Sequence, residues 1–169
     1  LASNQEVNMS NRQADIAVRA TSSPPEHLIG RQVGTLTWSM FGSKTYEKKF
    51  GLPNNIDELV DHSLIGATGA LGRLPAFAWL DKHFTDQVIT RCDDLTAMSY
   101  FVESGQGLAF LPDDQRRPEI IKLFGIKDSK PSNLWLLTHP DLRNVERIKL
   151  VMQHLTKAFS QEWPVETTR

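Results

Sequence analysis

Residues 134–143, Leu-Trp-Leu-Leu-Thr-His-Pro-Asp-Leu-Arg, carry the chain from an apolar run through a Pro-Asp turn to the approach of a long amphipathic helix. Four apolar residues ahead of a proline are too short for a helix and read as a buried strand ended by a turn. Beyond it, Val145, Ile148, Met152, Leu155 and Phe159 recur at alternating three- and four-residue steps. Asn144, Glu146, Lys149 and Gln153 lie on the opposite side. A helix with one apolar seam must bury that seam, and a sheet containing the preceding strand is the surface to receive it. The chain must therefore fold as layered helix and sheet.

Further elements fit the same pattern. Ala14-Asp-Ile-Ala-Val-Arg19 is a β-branched run that ends in Ser22-Ser-Pro-Pro25 and reads as a buried strand. Ile29 to Phe41 is extended and rich in Val, Thr and Trp. Ser43 is placed to cap a helix that stops at Gly51, with Pro53 beyond. Asn55-Ile-Asp-Glu58 has capping-box spacing and opens a short helix through Asp61.

Ser63–Ala67 and Val88–Cys92 read as strands, and Thr68-Gly-Ala-Leu-Gly72 as a loop. Residues 75–83 read as helix, with strand as the alternative. Asp94 caps a helix whose apolar positions Leu95, Met98, Phe101 and Val102 share one face. Gly105 stands where a left-handed cap belongs. Leu108–Leu111 and Ile120–Phe124 are further strands. Strands that alternate with helices predict an α/β fold with mostly parallel sheets.

Composition narrows the function. A net charge of −1 and a pI near 6.6 provide no cationic face for nucleic acid. The single cysteine, Cys92, excludes an internal disulfide and a Cys-rich zinc site, and it reads as a small core residue. No apolar run approaches the roughly 20 residues that cross a bilayer, and no signal-peptide pattern is present. The chain opens with Leu1-Ala-Ser-Asn rather than Met, so it reads as a piece of something longer. Asn8-Met9-Ser10 fits a glycosylation sequon, a pattern short enough to arise by chance.

Catalytic and metal-binding patterns are absent from the sequence. There is no Gly-x-Ser-x-Gly motif. Ser104-Gly-Gln-Gly107 runs from helix to strand, the reverse of a phosphate-cradling loop. His27, His62, His83, His139 and His154 are scattered without metal-ligand spacing and read as surface or turn residues. Asp93 and Asp94 would point to opposite faces of a strand, and Asp94 is better used as a helix cap. Asp113-Asp114 with Arg116-Arg117 reads as a solvated loop with compensating charges, and Glu47-Lys48-Lys49 as an exposed helix face. No metal, cofactor or catalytic residue is nominated.

Several of these segments together resemble a known family. Arg12-Gln-Ala-Asp-Ile-Ala-Val-Arg19, with Pro24-Pro25 and Leu28-Ile-Gly-Arg31, is similar to the first-lobe strand and hinge exit of the effector-binding domain of LysR-type transcriptional regulators. Gly42-Ser43 with Tyr46 and Gly51 resembles the start of that domain's second lobe. Asp94–Val102 followed by Gly105-Gln-Gly-Leu-Ala-Phe-Leu-Pro112 resembles the helix and strand that lead back. Leu134–Arg143, with Arg147 one turn on, resembles the closing strand and helix. The resemblance spans residues 1 to 160.

This resemblance implies a two-lobed α/β domain like the type-2 periplasmic binding proteins, with mostly parallel sheets and flanking helices. It places the first lobe at 1–30 and 113–163, the second at 31–112 and a tail at 164–169. It also implies that the family's winged helix-turn-helix and the first lobe's opening strand and helix are not in this chain, leaving a sheet edge near Ala14–Val18 open to pairing.

Ligands of open α/β sheets bind beyond the carboxyl ends of strands. For a two-lobed domain this nominates Arg19, Ala20 and Thr21 from the first lobe, and Thr68, Gly69, Asp94, Leu95 and Thr96 from the second, facing a cleft between lobes. Free N–H groups at the start of the Leu95 helix would favour an anionic ligand group. The implied function is ligand sensing without catalysis. A small organic effector would bind a cytoplasmic homodimer with no membrane contact, and DNA would be reached only through the missing N-terminal domain. The alternative is a solute-binding protein of the same fold serving a transporter; an enzyme, resting on Cys92, stands third. An upstream helix-turn-helix or an upstream secretory signal would separate the first two.

Overall fold

A computed structural model describes residues 14–21, 23–125 and 131–162. The sequon Asn8-Met9-Ser10, Arg12, Gln13, Ser22 and the 164–169 tail lie outside the described residues. In chain order the elements are β1 (Ile16–Ala20), β2 (Ile29–Leu36), β3 (Trp38–Ser43), α1 (Lys44–Phe50), β4 (Leu64–Ala67) and α2 (Pro75–His83). They continue with β5 (Val88–Cys92), α3 (Leu95–Glu103), β6 (Ala109–Pro112), β7 (Ile120–Gly125), β8 (Ser132–Thr138) and α4 (Glu146–Glu162).

The chain forms two compact units, Leu1–Leu36 with Pro131–Arg169, and Thr37–Lys130. The divisions fall later than 30/31 and 112/113 because strand pairing moves them. All of β2 pairs with β8 in the first unit, and β7 pairs with β3 in the second. The extended segment 29–41 is consequently two strands, parted at Thr37 and assigned to different units.

The first unit is a three-stranded sheet of order β1-β8-β2, with both pairings antiparallel. Period-two alternation sends Ile16, Val33, Leu134 and Leu136 to the face on which Met152, Leu155 and Phe159 of α4 pack. The seam read from the sequence is thus the docking face, with Ile148 also buried. Leu28, Ala17, Trp135 and Leu137 form a smaller apolar cluster. Among the described residues β1 is an edge strand, and Val18 on it is 44% exposed. A turn at Pro140–Leu142 links β8 towards α4, and His139 caps it by accepting the Asp141 amide at its Nδ1.

The second unit holds sheets β6-β3-β7 and β4-β5, joined where Leu64 bridges Leu108. Met40, Phe41, Phe77, Met98, Val102 and Phe110 belong to its core. Here the expectation of mostly parallel sheets is corrected. Among the described residues only β4–β5 and the Leu64–Leu108 bridge are parallel, whereas β1–β8, β2–β8, β3–β6 and β3–β7 are antiparallel. A chain that leaves a unit through one strand and returns through its neighbour must reverse direction, as β2 and β8 do. The alternation of element types carries no information about which strands become neighbours.

Local signals were followed closely. Ser43 accepts the Tyr46 amide at the start of α1, and Gly51 ends that helix at φ +73°. Asp94 accepts the Ala97 amide at 2.7 Å, and Gly105 follows α3 at φ +78°. Residues 75–83 are helical. Asn55 accepts the Asp57 and Glu58 amides, but the turn over Asp57–Asp61 is 3-10 rather than α.

The solvated-loop reading of 113–117 is corrected at Asp113. Its side chain is only 12% exposed, and it accepts from Thr37 and Lys122 and pairs with Arg116. Burial raises its carboxyl, but hydrogen bonds from Lys122, Thr37 and Ser39, with the Lys122 charge, outweigh burial and hold it below its ordinary value.

Candidate functional site

β4 and β5 run parallel with Ala67 opposite Cys92, so their carboxyl ends finish side by side. The Thr68 amide donates to the Cys92 carbonyl at 3.0 Å, extending the pairing by one residue. Beyond it the chain turns at Gly69, whose φ of +59° suits a residue without a side chain, and the Gly72 amide returns to the Thr68 carbonyl. A Cβ on Gly69 would lie 3.9 Å from the Asp93 Cβ, so the two loops touch. Thr68, Gly69 and Thr96 are exposed, and Asp94 and Leu95 are half-buried. The structure therefore brings the five second-lobe nominees together at one end of one sheet.

Asp94 also holds the local backbone, together with Cys92. Asp94 spends a carboxylate oxygen on the Ala97 amide, which caps the start of α3 ahead of Leu95 and Thr96. Cys92 Sγ lies 3.3 Å from the Asp94 carbonyl and 3.4 Å from its amide, holding the β5–α3 turn. Cys92 is half-buried against the core, as a small packing residue would be.

The first-unit nominees sit at the end of β1. Ala20 is exposed and Arg19 half-buried. The Thr21 hydroxyl is engaged in a turn, donating to the Ser23 carbonyl and accepting its amide, while the Thr21 amide donates to Asn133. Thr21 thus does turn chemistry. Trp135, the register partner of Arg19, was not among the nominees. Its indole Nε1 is buried with no hydrogen-bond partner among the described residues. The signal is one indole N–H among the leucines of β8, because buried Trp normally finds an acceptor.

Chemically, these positions offer hydroxyls, backbone donors and one capped carboxylate. Among the described residues no group of three or more His, Cys, Asp or Glu could hold a metal ion. Such a set can bind and orient a small polar molecule.

The model of the LysR substrate binding domain matches residues 3–160 of the chain. The chain belongs to the LysR substrate-binding domain family. Its fold is accordingly the mixed α/β, type-2 periplasmic-binding-protein-like fold, and the family comprises effector-binding domains of transcriptional regulators, not enzymes. The match accounts for residues 3–160 as substrate-binding domain.

The regulatory domain of CrgA, a LysR-type regulator from Neisseria meningitidis, superposes with a TM-score of 0.75 at 21% identity, over 93% of this chain and 81% of that one. The full-length virulence activator AphB of Vibrio cholerae gives a TM-score of 0.63 at 16% identity, over 92% of this chain and 55% of that one. At such identities the likeness is one of fold. An HTH-type transcriptional regulator of Xanthomonas campestris is 32% identical over 59 residues, 35% of this chain and 17% of that protein. The LysR domain thus spans well under two thirds of the full-length regulators it matches. Among its described residues no helix is long and apolar enough to cross a membrane.

Proposed function

We propose that this LysR substrate-binding domain is the ligand-sensing part of a cytoplasmic, homodimeric transcription regulator. It binds a small organic effector and passes the signal to a winged helix-turn-helix that lies outside these residues. The carrying observation is the convergence of the parallel β4 and β5 ends, with exposed Thr68, Gly69 and Thr96 beside the start of α3. The proposed contacts are Thr68, Gly69, Asp94, Leu95 and Thr96 from the second unit and Arg19, Ala20 and Thr21 from the first. The Thr68 and Thr96 hydroxyls give hydrogen bonds to the effector, and the Leu95 and Thr96 amides favour an anionic group on it. A ligand with different affinity for two arrangements of the regulator shifts their populations by that difference.

The test is thermal-shift screening of the chain against small organic acids and other metabolites. A true effector at 100 times its Kd adds about 2.7 kcal/mol, and Thr68→Val with Thr96→Val weakens its binding by about tenfold for each lost bond of about 1.4 kcal/mol. If no compound raises the melting temperature, or a compound that does is indifferent to both substitutions, the proposed site is wrong.

A further inference from the structure

A second candidate ligand site, formed wholly within the first unit, comes from a cavity whose lining combines an apolar wall with cations. It has a volume of about 300 Å³, at the low end of the ~300–1,000 Å³ typical of small-molecule sites. It lies between the first residues of β2, the end of β8 and the first turns of α4. Ile29, Ile148 and Met152 give it an apolar wall, and Arg31, Arg143 and Lys149 give it three cations.

The cavity has a local structural origin. Ile29 and Arg31 alternate with Gly30 along β2, so both side chains share the face with Val33, on which α4 docks. Gly30 lines the cavity between them with its backbone, and no larger residue fits at this position, because on the opposite face a Cβ would meet the Leu136 carbonyl oxygen at 2.0 Å and Leu137 Cδ2 at 2.9 Å. The α4 seam begins with the buried Ile148, and Lys149 beside it also lines the cavity.

Charge decides the class of ligand. No carboxylate lines the cavity, although the whole chain carries a net charge of −1. Among the described residues neither Arg31 nor Arg143 is in an ion pair. Lys149 has only Glu146 at 3.9 Å, a carboxylate 77% exposed and outside the lining. Two arginines outside any ion pair among the described residues, and a lysine whose carboxylate partner stands outside the lining, over an apolar wall fit one ligand chemistry, a compact acid with a hydrocarbon body. We propose that this cavity binds a small amphipathic organic anion. Its head is held by Arg31, Arg143 and Lys149, with the Gln153 amide as a further donor, and its tail lies on Ile29, Ile148 and Met152. Guanidinium groups present paired N–H donors that match a carboxylate.

The experiment titrates octanoate into the full chain by calorimetry, with octan-1-ol and octylammonium as neutral and cationic counterparts, and follows backbone amides by NMR. Octanoate is expected to bind, to perturb the Gly30, Arg31 and Thr138 amides, and to weaken several-fold as salt rises from low to physiological concentration. The exposed double variant Arg31→Gln/Arg143→Gln is expected to lose at least tenfold in affinity with an unchanged circular dichroism spectrum. Thr68→Val/Thr96→Val is expected to bind octanoate normally, which separates this cavity from the β4–β5 site. No octanoate binding, octylammonium binding equally well, or an arginine double variant with unchanged affinity would each overturn the proposal.

Discussion

Thr37 and Asp113 are joined twice: the Thr37 hydroxyl donates to Asp113 Oδ2 at 2.6 Å, and the Asp113 amide donates to the Thr37 carbonyl at 2.9 Å. Thr37 is the first residue of the second unit, and Asp113 directly follows β6. A carboxylate in a sequence of alternating charge thereby fixes where the second unit begins.

Asp113→Ala should destabilise the second unit by about 1–3 kcal/mol, since it strands the half-buried hydroxyl donor of Thr37 and removes the carboxylate that pairs with Lys122. The sign with pH follows from the depressed carboxyl. Its stabilisation is complete above the unfolded value near 3.8 and is lost as pH falls through the lower native value. Urea unfolding of wild type and Asp113→Asn from pH 7 to pH 3 checks this; the gap between the two should shrink only below about pH 4. A gap that closes between pH 7 and 5 would contradict it.

The Tyr46 hydroxyl accepts the Ser63 amide at 3.0 Å and contacts His62 Nδ1 at 3.2 Å, from a side chain 2% exposed. Tyr46→Phe keeps the ring and leaves the Ser63 amide unsatisfied at the entry to β4, so a loss of about 1–3 kcal/mol is expected by denaturant unfolding. Faster amide exchange at Ser63 than elsewhere in β4 should accompany it.

Gly51 and Gly105 both have a positive φ, +73° and +78°, but not the same surroundings. A Cβ on Gly51 meets nothing within 4 Å, whereas one on Gly105 meets Thr45 Cγ2 at 2.9 Å and the Tyr46 amide at 3.3 Å. Gly51→Ala should therefore cost only the backbone penalty of about 1–3 kcal/mol for its positive φ and extended ψ. Gly105→Ala should cost measurably more, and equal losses in melting experiments would contradict the steric account.

Along α4 the seam can be read out by truncation. Leu155→Ala, which removes packing on the Val33–Leu136 cluster, should lose about 1–3 kcal/mol. Leu150→Ala, on a side chain 57% exposed, should change stability by less than about 0.5 kcal/mol. A reversed order in chemical denaturation would mean that α4 docks by another face.

The sequence alone determined what its own neighbours decide. Ser43, Gly51, Asp94 and Gly105 stand at the helix ends they cap, and the steps from Ile148 to Phe159 name the face that docks. Capping bonds close over three residues and seams repeat over four, so the necessary partners lie within one turn of chain. The nominees at the ends of β4 and β5 were legible for the same reason, since each stands at a strand end that the sequence marks.

Only the tertiary structure decided the direction of the strands, the change of unit at Thr37, the half-buried state of Asp113 and the cation-lined cavity under α4. Thr37 and Asp113 are 76 residues apart, and Arg31 meets Lys149 across the same cavity from the opposite end of the chain. Charge, burial and strand direction at such places depend on residues brought together by packing, and no local pattern records which they will be.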